Sequence, residues 1–463
     1  MRRCLGRSRW LGEQGLSVGG EDQLLRIRLR SGWGVAVLPL IFGAATFGQT
    51  AESPNNMPNA QQQAGIDKDN ARHFGDDPVD GGPLATDLSP SLRREDVGRA
   101  MRKVADWQLG RSEPYFDRIW TWSVLYSGFM AASDSLGDAR YSDAMEAMGK
   151  RFDWQLRSHL PDADDQSVGQ TYLELYFRRK DPAMIAPTRA ELDALLGAPR
   201  VAKGTGAARV IPWWWCDALF MAPPVWARMY AATGDRKYIA YLDEEWAKTS
   251  DLLYDTKAHL YARDTTYLTR TEANGKRMFW SRGNGWVMGG LARTLAYLPK
   301  DDPARARYVR QLQEMSAEVA ELQGNDGLWR AGMLDPASYA LPEVSGSALM
   351  TFGIAYGINA GYLDRKRFGP VVERAWAGML QHVYADGRLG CIEQKGAEPA
   401  PFRATASYVW GGGVSAGGKR DSEDGRPGSG DSIDFSMSLQ GRPALWWKGA
   451  ARRGRARPLG ILR

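Results

Sequence analysis

Apolar positions recur at helical spacing in ten stretches: 95–108, 118–133, 140–155, 167–178, 213–232, 237–253, 284–298, 304–322, 345–360 and 368–383. Alternation with a period of two is rare, so the pattern predicts an all-α chain. Five junctions share a small motif, an Asp, then a basic residue or Pro, then an aromatic or Ile. They are Gly137–Tyr141, Lys180–Ile185, Gly234–Tyr238, Asp301–Tyr308 and Leu363–Phe368. Asp suits a helix N-cap, and Pro is tolerated in the first turn. Such joints predict helical hairpins repeated along the chain. A solenoid repeats with one regular period. These joints are unevenly spaced, with polar inserts at Asp162–Asp165, Arg200–Ile211, Ala258–Gly283 and Gly324–Pro342. Uneven inserts predict a closed toroid of helical pairs, with site residues gathered on the inserted loops.

The ends of the chain read differently. Arg26, Arg28 and Arg30 precede the apolar run 32–48, and small residues follow it, a signal-peptide pattern over residues 1–54. The run is short for a membrane span and contains Gly and Pro. It starts some distance into the chain, which leads us to expect a start codon assigned too far upstream. Export to the periplasm or the exterior is the expected localisation. Residues 55–91 are rich in Asn, Gln, Gly, Pro and Asp and read as a linker. The folded body is expected over 92–410. The polar, Gly-rich stretch 411–463 reads as a disordered or aberrant tail, as a frameshift would produce.

Composition narrows the function. The 463 residues, 43% hydrophobic and 25% charged, are ordinary for a soluble globular protein. The net charge of +6 comes from arginines clustered at the two ends, so it is no nucleic-acid signature. Cys4, Cys216 and Cys391 form no CxxC pair, and His73, His159, His259 and His382 form no HExxH. No disulfide framework, metal or cofactor is expected. Eighteen Trp and eighteen Tyr are many for this length and fit a core plus a carbohydrate-stacking site.

Three clusters carry chemistry. Trp213-Trp214-Trp215-Cys216-Asp217 sets a lone acid among indoles. Desolvation there would raise its pKa toward the range of a neutral-pH proton donor. The same residues also fit a Trp-rich helix start in a core, with Asp217 as N-cap. In Phe279–Trp286 an Arg282 lies between Trp280 and Trp286, and Gly283 and Gly285 let the backbone pass closely. Arg282 so placed suits a planar carboxylate, which it could grip with two parallel bonds. The third cluster, Asp162-Ala163-Asp164-Asp165-Gln166, supplies further acids before a helix. Together they imply an anionic oligosaccharide as partner, with no nucleic acid and no membrane beyond a signal anchor.

The body resembles glycoside hydrolase family 105, the unsaturated rhamnogalacturonyl hydrolases. The resemblance rests on the segments WWWCDALFMAPPVW, LLYDTKAHLYARDTTY, FWSRGNGWVMGGLARTL and PEVSGSALMTFGIAYGIN. It implies an (α/α)6 barrel. It also implies release of an unsaturated uronic acid from the non-reducing end of lyase-cut oligosaccharides, by protonation and hydration of the C4=C5 double bond, with no cofactor. By the resemblance Asp217 is the catalytic acid, and Asp164 or Asp165 the second acid. Trp215, Trp280, Arg282, Gly283 and Trp286 contact the sugar, with Glu343 and Ser345 as lesser candidates. Arg263 stands where some members carry a site histidine. The alternatives are the related family 88 acting on glycosaminoglycan products, a toroidal epimerase or lyase, and a non-catalytic sugar-binding relative.

Overall fold

A computed structural model describes residues 75–157, 161–198 and 211–415. The signal pattern, the start of the linker and the tail beyond 415 lie outside the described residues. So does His159.

The helical segments group into an inner and an outer set. The inner helices are α2 (Trp120–Leu136), α5 (Gly169–Arg179), α8 (Pro223–Thr233), α10 (Ser281–Leu295), α12 (Val344–Asn359) and α14 (Val409–Ser415). The outer ones are α1 (Arg94–Ser112), α3 (Ala139–Arg151), α6 (Ala186–Gly197), α9 (Lys237–Leu253), α11 (Arg305–Glu321) and α13 (Arg365–Leu380). Two single turns, α4 (Ala163–Gln166) and α7 (Ala218–Met221), precede α5 and α8. Each inner helix packs on the next, and α14 returns to α2, so the ring closes. This is the (α/α)6 toroid expected from the sequence. Among the described residues it departs from pure helix at a two-stranded hairpin, Tyr254–Asp255 with Leu260–Tyr261, and at a few isolated β-bridges. No described helix is long and apolar enough to cross a membrane.

The five Asp joints all lie where an inner helix hands over to an outer one. Asp138, Asp181, Asp235, Asp302 and Asp364 each accept the N–H two residues on, at 3.0–3.1 Å. Gly137 and Gly234 end α2 and α8 in the left-handed conformation that spares a Cβ clash, with φ of 64° and 74°. The joints are therefore tight. The outer-to-inner connections hold the long inserts, and their described parts lie at the opposite end of the ring.

Inner helices are apolar nearly all round because both faces are covered. Every residue of α10 is buried. Glycines set its distance from neighbours: a Cβ on Gly290 would overlap the Leu219 carbonyl, and one on Gly285 would lie 3.0 Å from the Gly346 carbonyl. Deep in the ring, Glu174 of α5 accepts Arg228 Nη2 of α8 at 2.6 Å and Arg293 Nη2 of α10 at 2.8 Å. Arg293 also donates to Gln170 and to Ser127 of α2. Four inner helices thus share one buried polar network.

Two boundaries differ from expectation. Residues 75–91, read as linker, lie against the last connection of the body. Asp76 and Ser407 exchange backbone hydrogen bonds at 2.7 Å, and Ala85 donates to Val383 at 2.8 Å. Arg403 pairs with Asp77 at 3.4 Å. At the other end α14 continues to Ser415, beyond the limit of 410. Trp410 anchors it, buried against Trp120 at 5.5 Å and Tyr408 at 4.4 Å between ring centroids. Gly411 and Gly412 follow, and both lie where a Cβ would strike Ile392 or Gln108. Small size seats this turn, so low hydropathy there did not mean disorder.

Candidate active site

All inner helices run the same way, since an outer helix returns between each pair. Their N-termini converge on the end that carries the long connections. Trp120, Asp164, Asp217, Trp280, Arg282, Glu343 and Trp410 all sit at or just before such a terminus. The partial positive charge of each helix start favours anions at this end.

Asp217 lies immediately before α7 in helical backbone geometry, and its side chain makes no capping hydrogen bond. The N-cap alternative is therefore not realised. Its carboxylate is buried, with Arg263 Nε 3.5 Å and Cys216 Sγ 3.6 Å from Oδ2. Burial raises its pKa, while the charges of Arg263 and Arg282 pull the other way. Asp164 keeps an edge open to solvent. Burial of its carboxyl, then the charges of Asp162 and Asp217, push its pKa well up, and Arg263 opposes them. Asp164 and Asp217 therefore feel one another and share one arginine. Asp165 turns elsewhere, to Arg157 at 3.5 Å. It is Asp164, not Asp165, whose charge is coupled to that of the lone acid.

The tryptophan triplet divides by burial. Trp213 is wholly buried against Tyr241. Trp215 is 4% exposed, almost covered. Trp214 is the half-buried one, 4.8 Å from Trp215, with the Arg263 guanidinium 5.3 Å over its ring. Of the three it is Trp214, not Trp215, that keeps part of its ring open to solvent. The Cys216 N–H donates to the Arg263 carbonyl at 2.8 Å, which fixes Arg263 beside the acid.

Several expected substrate contacts are internal. Arg282 is 1% exposed and lies 4.4 Å over Trp280. It donates to the carbonyls of Glu393 at 2.8 Å and Gln394 at 2.7 Å. Its fork is occupied by the protein, so it is no open carboxylate clamp; it acts on Asp217 as a fixed charge. Gly283 is needed for packing, since a Cβ there would lie 3.0 Å from Cys216 Sγ. Glu343 caps α12, accepting the N–H groups of Ser345 at 3.3 Å and Gly346 at 2.6 Å and the Ser345 hydroxyl at 2.7 Å. Both residues are fully buried, so they shape the helix start and do not face a sugar. Trp280 and Trp286 are buried too; Trp286 packs on Phe220 at 4.9 Å and edge-on to Trp120 at 6.0 Å.

Three residues escaped sequence reasoning. Trp120 is half-buried at the start of α2, touching Trp286 and Trp410. Its signal was present, an aromatic pair opening an apolar helix. Trp410 lay at the edge of sequence read as tail. Glu393 lies in Cys391–Gln394, which has no distinguishing local pattern.

The profile of glycosyl hydrolase family 88 matches residues 92–409. The chain is 36% identical over 343 residues to an unsaturated 3S-rhamnoglycuronyl hydrolase of Formosa agariphila, covering 70% of this chain and 89% of that one. It is 26% identical to an unsaturated rhamnogalacturonyl hydrolase of Bacillus subtilis, over 60% of this chain and 80% of that one. A solved family 88 hydrolase from Bacteroides vulgatus superposes with a TM-score of 0.63 at 27% identity, over 70% and 97% of the chains. A solved polysaccharide lyase does so at 0.64 and 28%, over 70% and 96%. The sequence resemblance was drawn to family 105 with family 88 beside it, and the matching profile carries the latter description. With its helical toroid and buried acid at the helix starts, this chain belongs to glycosyl hydrolase family 88 and is a glycoside hydrolase.

Proposed function

We propose that the protein removes an unsaturated uronic acid from the non-reducing end of a lyase-cut oligosaccharide in which that acid is linked to rhamnose. One observation carries the reading: Asp217 is a buried carboxyl with raised pKa, free of any capping duty, beside a cation that lies over a half-buried indole. Asp217 gives its proton to C4 of the C4=C5 enol ether, and charge builds at C5. Water adds at C5, and a carboxylate takes its proton. The hemiketal opens to a C5 ketone, and the hemiacetal left at C1 expels the linked sugar. One acid alternating between donor and base suffices for these steps. Two carboxyls on opposite faces of an anomeric carbon are not required. Asp164, whose pKa is pushed higher, keeps its proton and donates a hydrogen bond to the sugar. Arg263 meets the substrate carboxylate, and Trp214 and Trp120 offer faces for the rings.

The relatives favour rhamnose as the linked sugar, and they divide on its sulfation: the nearer name specifies a 3S-rhamnoglycuronyl substrate, the other rhamnogalacturonyl. Disaccharides from pectin, from a 3-sulfated rhamnose polymer and from chondroitin, assayed by ultraviolet absorbance of the double bond, separate the readings. Loss of absorbance with a rhamnose-linked substrate is expected. Loss with the chondroitin product alone would overturn the rhamnose assignment. A gain of absorbance on intact polymer would mark a lyase.

A further inference from the structure

Several groups of the site converge on Glu393, in the connection between α13 and α14. Its side chain is fully buried. Oε2 accepts Trp280 Nε1 at 2.8 Å and faces Arg282 Nη1 at 3.4 Å. Oε1 accepts the Ala400 N–H at 2.6 Å, which closes residues 393–400 into a small loop. Its own N–H donates to Glu343 Oε1 at 3.2 Å, and its carbonyl accepts Arg282 Nη1. The turn that aims it inward passes through Cys391 at φ 54°, a left-handed conformation uncommon for a residue with a Cβ. Its carboxyl thus joins the start of α10 to the loop 393–400, and its backbone N–H ties the same residue to Glu343 at the start of α12.

We infer that Glu393 is a positioning residue for the reaction: it fixes Trp280 and Arg282 at the start of α10, and its charge sets how much of the Arg282 charge reaches Asp217. This rests on reading Asp217 as the proton donor. The charged and titratable groups facing Glu393 are Arg282 from α10, Glu343 from α12 and Tyr339 from the connection before α12. Burial pushes its carboxyl up to about 8; Arg282 opposes this and Glu343 adds to it. Below that pH a neutral Glu393 leaves Arg282 to favour ionised Asp217. Above it, ionised Glu393 offsets Arg282, and Asp217 holds its proton to higher pH.

The test is kcat and KM on the unsaturated disaccharide from about pH 5 to 10 for wild type, Glu393→Gln and Glu393→Ala. Gln keeps the shape and an acceptor for Trp280 but never ionises, so its alkaline limb should fall about half a pH unit or more below wild type. Ala loses the anchor of Trp280 and the loop, and KM should rise about tenfold across the range. Should Ala fail to fold, Glu393→Asp, one methylene short of Trp280, reads the same arm. Superimposed alkaline limbs for wild type and Gln, or a wild-type KM in Ala or Asp, would overturn the inference alone. A wild type that leaves the double bond intact would overturn the functional reading and this inference with it.

Discussion

At the level of single residues, burial separated look-alikes that sequence could not. Asp164 and Asp165 are neighbours of one type, yet one is electrostatically coupled to Asp217 and the other pairs with Arg157. Asp164→Ala should lower kcat by about tenfold or more, through loss of a donor to the sugar, with little change in melting temperature. Asp165→Asn should leave kcat within a few-fold and lower the melting temperature, because it strands Arg157. Steady-state kinetics and thermal melts on the pair check this, and the reverse pattern would exchange the two roles. Asp217 itself was legible from its aromatic neighbours. The division of labour among Trp213, Trp214 and Trp215 was not, because exposure within a run of identical residues depends on the elements packed over it. Arg282 looked like a ligand clamp for the same reason: its acceptors lie in Glu393 and Gln394, over a hundred positions away.

Secondary elements were read more securely, since their signals are local. The Asp joints named the inner-to-outer turns, and each aspartate accepts the N–H two residues on; Asp138 and Asp364 do so as the N-caps of α3 and α13, the others in the turn just before their helix. Asp364→Ala should therefore cost about 1 kcal/mol of stability, measured by denaturant unfolding. What the joints could not reveal is how closely the helices approach. Gly290→Ala should cost about 1–3 kcal/mol despite its better helix propensity, because the added methyl meets the Leu219 backbone. A neutral or stabilising result would mean that α7 and α10 can separate. Low hydropathy misled at the last element, where the glycines of α14 serve fit against Ile392 and Gln108.

For the whole molecule, ring closure makes distant helices depend on shared groups. Glu174 compensates two buried arginines from α8 and α10. Glu174→Ala should destabilise the fold by about 3–5 kcal/mol, more than a surface ion pair could, since it leaves both cations uncompensated. The toroid also explains why the site was visible only in pieces: its acids and aromatics come from six helix starts spread over most of the body. Linkage gives the ring a pH signature. Asp217 has a folded pKa above its unfolded value, so its favourable contribution is present at low pH and fades as pH rises through the raised pKa. Removing that charge should raise the melting temperature at neutral and alkaline pH.

The central claim is that Asp217 protonates the double bond of an unsaturated uronic acid. It is tested by following the absorbance of a rhamnose-linked unsaturated disaccharide with wild type and Asp217→Asn side by side, with melting temperatures recorded for both. The account predicts that wild type bleaches the absorbance, whereas Asp217→Asn is folded, melts no lower and leaves the absorbance constant. Bleaching by the Asn variant at a rate near wild type would contradict it.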